Sequence, residues 1–189
     1  LGGTTDITRM LALGAVTDEQ RRDSTLVLKG MIALSRARFP KGTSGPQFDA
    51  LARAPLWGAC MDFGHGSGHG GGYFLNVHEG PHSIRPPRPG AELVPLETGM
   101  ITSIEPGLYK PGRHGIRHEN LAVVVQADTS EFGEFLAFET LTLCPFDRRT
   151  LEPRLLEPSE RAWLDDYHAT VRAALSPPPD GEERAWRGW

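Results

Sequence analysis

Asp6, His65, His69, His78, Glu105 and Glu119 are carboxylates and imidazoles spread over separate segments of the chain. Alone, each has an ordinary explanation: an aspartate in a turn, a histidine satisfied within a glycine loop, a glutamate on a solvated strand face. Gathered from different elements, they are what a metal site requires. One histidine with several carboxylates is a hard, oxygen-rich donor set, which favours manganese or a similar divalent ion over a thiolate-loving one. A pair of metals sharing bridging carboxylates suits such a set.

The glycine-rich stretch Gly64–Gly72 carries two of these histidines. The i, i+4 spacing of His65 and His69 would put both on one helical face, but the density of glycine argues against a helix and predicts a loop or an irregular strand. Gly66, Gly68 and Gly71 also match the dinucleotide pattern G-x-G-x-x-G, with Glu92 near where a ribose-binding acid would be sought. That pattern needs a helix opening at its last glycine inside a βαβ unit, whereas Tyr73–Glu79 reads as extended and Pro86, Pro87 and Pro89 interrupt the residues beyond it. A flexible linker is the other reading of the glycines. Linkers rarely carry two histidines with a third, His78, followed by Glu-Gly-Pro.

The elements that must position these side chains can be placed by periodicity and punctuation. Thr17 and Gln20 have capping-box spacing, and Leu26, Val27, Met31 and Leu34 share an apolar face, predicting a helix from about Asp18 to Phe39. Pro40–Gly45 breaks it. Pro46 then opens a short helix carrying Phe48, Leu51 and Ala52, which Pro55 should end. Ile84–Gly90, rich in Pro and Arg, reads as a surface connection. Met100–Glu105 and Gly115–Val125 have strand character, and an antiparallel hairpin turning at Gly112 would set Glu105 opposite Glu119. A further strand is expected at Phe135–Leu143. Pro158 opens a last helix whose apolar stripe is Trp163, Leu164, Tyr167, Val171 and Leu175, stopped by Pro177–Pro179. The final ten residues, with Trp186 and Trp189, read as poorly ordered.

At 189 residues and 20.7 kDa, with 39% hydrophobic and 23% charged residues, the chain has an ordinary globular composition and room for one sizeable core. A net charge of −4 and a pI near 6.0 speak against a general affinity for nucleic acid or acidic membranes. Cys60 and Cys144 stand far apart, outside any C-x-x-C spacing, which supports neither a disulfide framework nor a zinc knuckle and makes a reducing compartment, the cytoplasm, the default expectation. The sequence opens at Leu1, within a Gly/Thr-rich stretch and without a secretory pattern, and reads as the C-terminal part of something longer.

Six ordered motifs carry a family resemblance: Gly3–Arg9, Phe63–Gly70, Leu75–Pro81, Ser103–Gly107, Gly115–Asn120 and Phe138–Phe146. Through them the chain resembles the aminopeptidase P (Xaa-Pro aminopeptidase) branch of the pita-bread metallopeptidases. The resemblance implies an α+β, pita-bread (creatinase/aminopeptidase) fold, here truncated at its N-terminus, with a curved antiparallel sheet and covering helices. It further implies a catalytic domain over residues 1–130, lacking its N-terminal part, and a C-terminal extension of the aminopeptidase P type over residues 131–189. Asp6, His69, Glu105 and Glu119 fall on the family's metal ligands, for two divalent ions, manganese ahead of zinc or cobalt. His65 and His78 fall on active-site histidines, Glu105 doubles as the general base, and Arg117 falls on an arginine expected to position carboxylates.

Two departures matter. The family's remaining aspartate ligand would lie before the position of Asp6, upstream of Leu1, so the chain by itself is expected to be poorly active. His118 stands where an apolar residue is usual, and on a strand it should point away from Arg117 and Glu119. The implied activity is hydrolysis of the N-terminal Xaa-Pro bond by a dinuclear-metal-activated water, acting on peptides with proline in second place. A prolidase-like dipeptidase and a non-catalytic pita-bread domain that binds peptides are the alternatives. The resemblance implies neither nucleic acid nor membrane as partner, and makes a homodimer reasonable because dimers are common among relatives.

Overall fold

The computed structural model describes residues 3–74, 76–90 and 92–176. Helix α1 (Asp18–Ser35) opens on the expected capping box, with the Gln20 amide donating to Thr17 Oγ1 and the Thr17 amide donating to Gln20 Oε1 at 2.9 Å. Val27, Leu28, Met31, Ile32 and Leu34 are buried along it. The helix ends at Ser35 rather than at the expected Phe39 because the residues that follow pair as a strand, in which Pro40 also holds Phe39 extended. Phe39 instead lies in strand β1 (Arg38–Pro40), its ring edge-on to Phe48 at 4.6 Å. Helix α2 (Pro46–Trp57) starts at Pro46 as anticipated but runs past Pro55. In the last turn that proline removes one backbone bond without ending the helix. Gly30 of α1 faces Ala52 of α2 so closely that a Cβ would overlap the Ala52 carbonyl oxygen.

Strands β2 (Gly68–His69) and β3 (Ser83–Ile84) pair antiparallel, and Gly70 bridges to Thr102. Ile84 is fully buried, so the segment expected to be a surface connection begins inside the core. Strands β4 (Ile101–Ile104), β5 (Gly107–Lys110), β6 (His114–Arg117) and β7 (Asn120–Ser130) form the predicted hairpin in two pieces. Its register runs through Ile104↔Asn120 and Gly107↔Arg117 to a turn where Gly112 has φ +72°. Glu105 and Glu119 therefore face each other as predicted, but in a gap between the pieces. There the ladder yields to other segments: the Glu105 amide donates to Ser67 O at 2.8 Å and the Glu119 amide to Thr8 O at 3.2 Å, while Pro106 has no N–H to offer.

Strand β8 (Gly133–Thr140) pairs with β7 and β1, giving a four-stranded antiparallel sheet in the order β1-β8-β7-β4. It begins and ends a few residues earlier than expected. Helix α3 (Pro158–Leu175) covers the main core with Leu164, Tyr167 and Val171, while Leu175 at its end is exposed. A smaller core of Val27, Leu56, Phe63, Leu108 and Ile116 joins α1 and α2 to the hairpin. Pro177–Pro179 and the tail with Trp186 and Trp189 lie outside the described residues. Among the described residues, no helix is long and apolar enough to cross a membrane.

Candidate metal centre

Four separate segments meet at the hairpin gap. The first is the extended N-terminal stretch, in which Thr4, Asp6 and Thr8 point inward and alternate with exposed Thr5 and Ile7. Thr8 bridges to Glu119 through the backbone, and its hydroxyl donates to Glu119 Oε2. Asp6, two residues earlier on the same face, places Oδ2 3.3 Å from His69 Nε2. His69 comes from β2, where its amide donates to Ser103 Oγ at 3.0 Å. Its Nε2 also lies 2.9 Å from Glu105 Oε1, which accepts from Ser103 Oγ at 3.0 Å.

Glycine makes this approach feasible. A Cβ at Gly68 would overlap the Ser103 carbonyl oxygen, and one at Gly70 would overlap the carbonyl oxygen of Glu79. The loop before β2 is held from α2: Arg53, 2% exposed, pairs with Asp49 and donates to the carbonyls of Phe63 and His65, while Ser67 Oγ donates to Asp49 Oδ1 at 2.8 Å.

The electrostatics of the three carboxylates differ. Burial works to raise the pKa of Glu105, but hydrogen bonds from His69 and Ser103 and the charges of His69 and Arg117 hold it below its ordinary value. His69 is correspondingly raised, chiefly by its hydrogen bond to Glu105. Glu119 is pushed up to about 7, first by burial and then by the charges of Glu105 and Asp6, with the Thr8 hydroxyl opposing. Its Oε1 is buried and has no hydrogen-bond partner. A buried carboxylate with an orphaned oxygen beside two further acids is a group short of positive charge. The oxygen-rich set of Asp6, Glu105, Glu119 and one imidazole thus fits divalent cations of the hard type. Among the described residues, no group of three or more His, Cys, Asp or Glu side chains is gathered closely enough, as it stands, to hold a metal ion. His69 Nε2 lies within ion-pair distance of both Glu105 and Asp6.

The remaining expected residues lie around this set. The exposed His78 ring lies tilted at 59° against His69, centroids 4.3 Å apart. Arg117 NH1 is 3.5 Å from Glu105 Oε2. His65 is not beside the carboxylates; its Nε2 is 3.0 Å from the hydroxyl of Tyr109, which accepts from Arg117 Nε at 2.9 Å. Glu105, Arg117, Tyr109 and His65 thus form one polar chain. Sequence reasoning missed Tyr109, although the hairpin register held the signal: Tyr109 pairs with Gly115, diagonal to Arg117 on the same face. It also missed the Asp49–Arg53 clamp, signalled by i, i+4 spacing on α2. His118 turns away as expected, into a buried contact with Ser24 Oγ at 2.9 Å and edge-on to Phe146; burial first, then the Arg9 charge, lowers its pKa to about 3.

Residues 1–126 match the model for metallopeptidase family M24, and residues 134–186 match the model for the C-terminal region of peptidase M24. The chain is 46% identical over 188 residues to a probable Xaa-Pro aminopeptidase P of Laccaria bicolor, covering 98% of this chain and 29% of that protein. It is 45% identical to aminopeptidase P1 of Lotus japonicus, covering 98% of this chain and 28% of the relative. Among solved structures, the X-prolyl aminopeptidase of Caenorhabditis elegans, described as a cytosolic enzyme with a di-nuclear active site, superposes with a TM-score of 0.83 at 40% identity, over 98% of this chain and 29% of that one. The Xaa-Pro dipeptidase of Bacillus anthracis gives 0.57 at 29% identity, over 76% and 36%. The chain spans under a third of the curated relatives it matches, and its architecture is part of an α+β pita-bread fold. With a family model covering residues 1–126, this chain belongs to metallopeptidase family M24.

Proposed function

We propose that the chain forms the metal-holding part of a metal-dependent aminopeptidase that releases the N-terminal residue from peptides with proline in second place. The observation that carries this reading is the convergence of Asp6, His69, Glu105 and Glu119 from four segments, with Glu119 Oε1 left unpartnered. Similarity to Xaa-Pro aminopeptidase P over most of the chain supports the substrate class. In this reading residues 1–130 belong to the catalytic domain and residues 131–189 to its extension, working in the cytosol.

Asp6, His69, Glu105 and Glu119 would hold two divalent cations, manganese by the hardness of the donor set. When bound, such a pair lowers the pKa of water and polarises a carbonyl. The protein's own groups do the rest. Glu105 accepts a proton as general base, and Arg117 keeps its carboxylate ionised and oriented. His78, exposed at the rim beside His69, donates to the oxyanion that develops on the scissile carbonyl. His65, fixed by Tyr109, lines the peptide's path. The 189 residues alone turn over poorly, because they hold only part of the fold.

The test is release of the N-terminal residue from an Xaa-Pro-Pro peptide by the full-length protein with manganese, against an Xaa-Ala control and an Xaa-Pro dipeptide. Cleavage of the longer proline peptide alone is the expected result. Cleavage of the dipeptide alone would replace the proposal with a prolidase. No cleavage of any, with metal bound, would leave a peptide-binding domain.

A further inference from the structure

Resting on the metallopeptidase reading above, we propose that Arg9 is a positioning residue through which the C-terminal helix α3 holds Glu119 in place against Asp6. Arg9 follows Thr8, the residue that bridges to Glu119. Its guanidinium donates through NH1 to Thr8 O at 3.0 Å and to Glu119 O at 2.6 Å, gripping the carbonyls on both sides of that bridge. Through NH2 it reaches Asn120 Oδ1, Cys144 O at 2.8 Å and the Tyr167 hydroxyl at 2.8 Å, and through Nε it reaches Cys144 O at 3.0 Å. The ring of Phe146 lies beneath it, 4.1 Å from the guanidinium carbon.

No other type of side chain can do this. Arginine presents five N–H donors in a rigid plane, whereas lysine is a point charge with three. One plane therefore fixes four pieces of chain: the stretch bearing Asp6, Glu119 with the start of β7 that follows it, the 141–146 segment, and α3. The last of these enters through Tyr167, 7% exposed, whose ring stacks on Trp163 at 5.4 Å and leans on Phe146 at 5.2 Å. The Tyr167 hydroxyl accepts from Arg9 and from the Cys144 amide, and lies 2.9 Å from Thr142 O. Because Cys144 O already accepts twice from Arg9, the hydroxyl proton is best used on Thr142 O. Removing that hydroxyl frees one edge of the guanidinium without changing the aromatic packing. The Thr8–Glu119 bridge then loses its outer support, and two carboxylates that must converge on one site can drift apart.

The experiment uses the full-length protein, stripped of metal, as wild type, Tyr167→Phe, Arg9→Lys and Leu164→Ala. Leu164 is a buried apolar residue of the same helix and makes no hydrogen bond to the guanidinium, so its truncation loosens α3 without touching Arg9 directly. Three quantities are measured: the manganese dissociation constant by calorimetry, deuterium uptake around Thr8 and Glu119 without metal, and the melting temperature. Tyr167→Phe and Arg9→Lys are expected to weaken manganese binding about tenfold and to speed exchange of the Glu119 amide. Leu164→Ala is expected to lower the melting temperature at least as far while leaving the dissociation constant at the wild-type value. Should Arg9→Lys fail to fold, Tyr167→Phe still decides the matter. Wild-type affinity and exchange in Tyr167→Phe, or equal weakening in Leu164→Ala, would reduce the link to general stability and overturn the proposal. A wild-type protein that binds no manganese would remove the underlying metal site itself, a different failure from intact binding that ignores Arg9.

Discussion

Arg53 NH2 donates to the carbonyl oxygen of His65 at 2.6 Å. A charged pair inside helix α2 thereby reaches out to anchor a loop made mostly of glycine. Replacing Arg53 with Met would leave Asp49, 3% exposed, as an unpaired buried charge, and unfolding measured in urea should become easier by about 3–5 kcal/mol. Arg53→Lys retains the charge but not the fork. Its turnover should fall further than its stability; equal losses in both would argue that the clamp serves only packing.

Tyr109 joins His65 to Arg117 through a single oxygen. Tyr109→Phe should lower kcat on the order of 10²-fold with a smaller change in KM, by analogy with the loss of one preorganised donor. Because Tyr109 is exposed at 43%, the melting temperature should hardly move. A kcat within twofold of wild type would place the polar chain outside catalysis.

Asp23 is fully buried in α1, with Arg22 on one oxygen and Lys110 and His114 of the hairpin tip on the other. Asp23→Ala takes one of two carboxylates from Lys110, which keeps Glu19 Oε1 at 2.9 Å, and should cost about 1–3 kcal/mol. The loss ought to show locally as well, in faster amide exchange at Lys110–His114, where α1 grips the turn. Unchanged exchange there would mean the tip is held by its own register.

Asp147 offers a dependence on pH away from the metal donors. Mainly through Arg149, and also through the amides of Ala12 and Arg149, its pKa is held at about 2 against the ordinary 3.8. A depressed folded pKa contributes stability that is complete above the unfolded value and disappears as pH falls through the folded one. Asp147→Asn should therefore melt below wild type at neutral pH, with the gap closing between about pH 4 and pH 2. Melting curves of both proteins across that range test it, and a gap that persists at pH 2 would contradict the assignment.

What could be read from residues alone divides along a physical line. Features decided by a segment's own pattern were legible: the Thr17–Gln20 cap, the α3 stripe, and the register that sets Glu105 opposite Glu119 around Gly112. The end of α1 was not, because Phe39 keeps helical spacing while its place beside Phe48 and β8 is a tertiary fact. The interruption of the hairpin was equally hidden, since its cause lies in the carbonyls of Ser67 and Thr8. Arg53 and Arg9 escaped for a related reason. Spacing marks the pairing of Arg53 with Asp49, but the carbonyls of Phe63 and His65 that Arg53 holds, and those of Thr8, Glu119 and Cys144 that Arg9 holds, are backbone oxygens that no residue type announces.

The glycines in and around β2 govern how this protein tolerates change. A run so poor in side chains looks like the most permissive part of the sequence, the natural place for insertions or library diversity. Gly68 and Gly70 say otherwise, since even one methyl at either would collide with a neighbouring carbonyl, whereas Gly64 and Gly71 have open space around a built Cβ. Randomised one position at a time, the stretch should split sharply: alanine accepted at 64 and 71, and rejected at 68 and 70. At 68 and 70 low complexity records crowding, and a survey of variants would rank these two positions among the least replaceable in the chain.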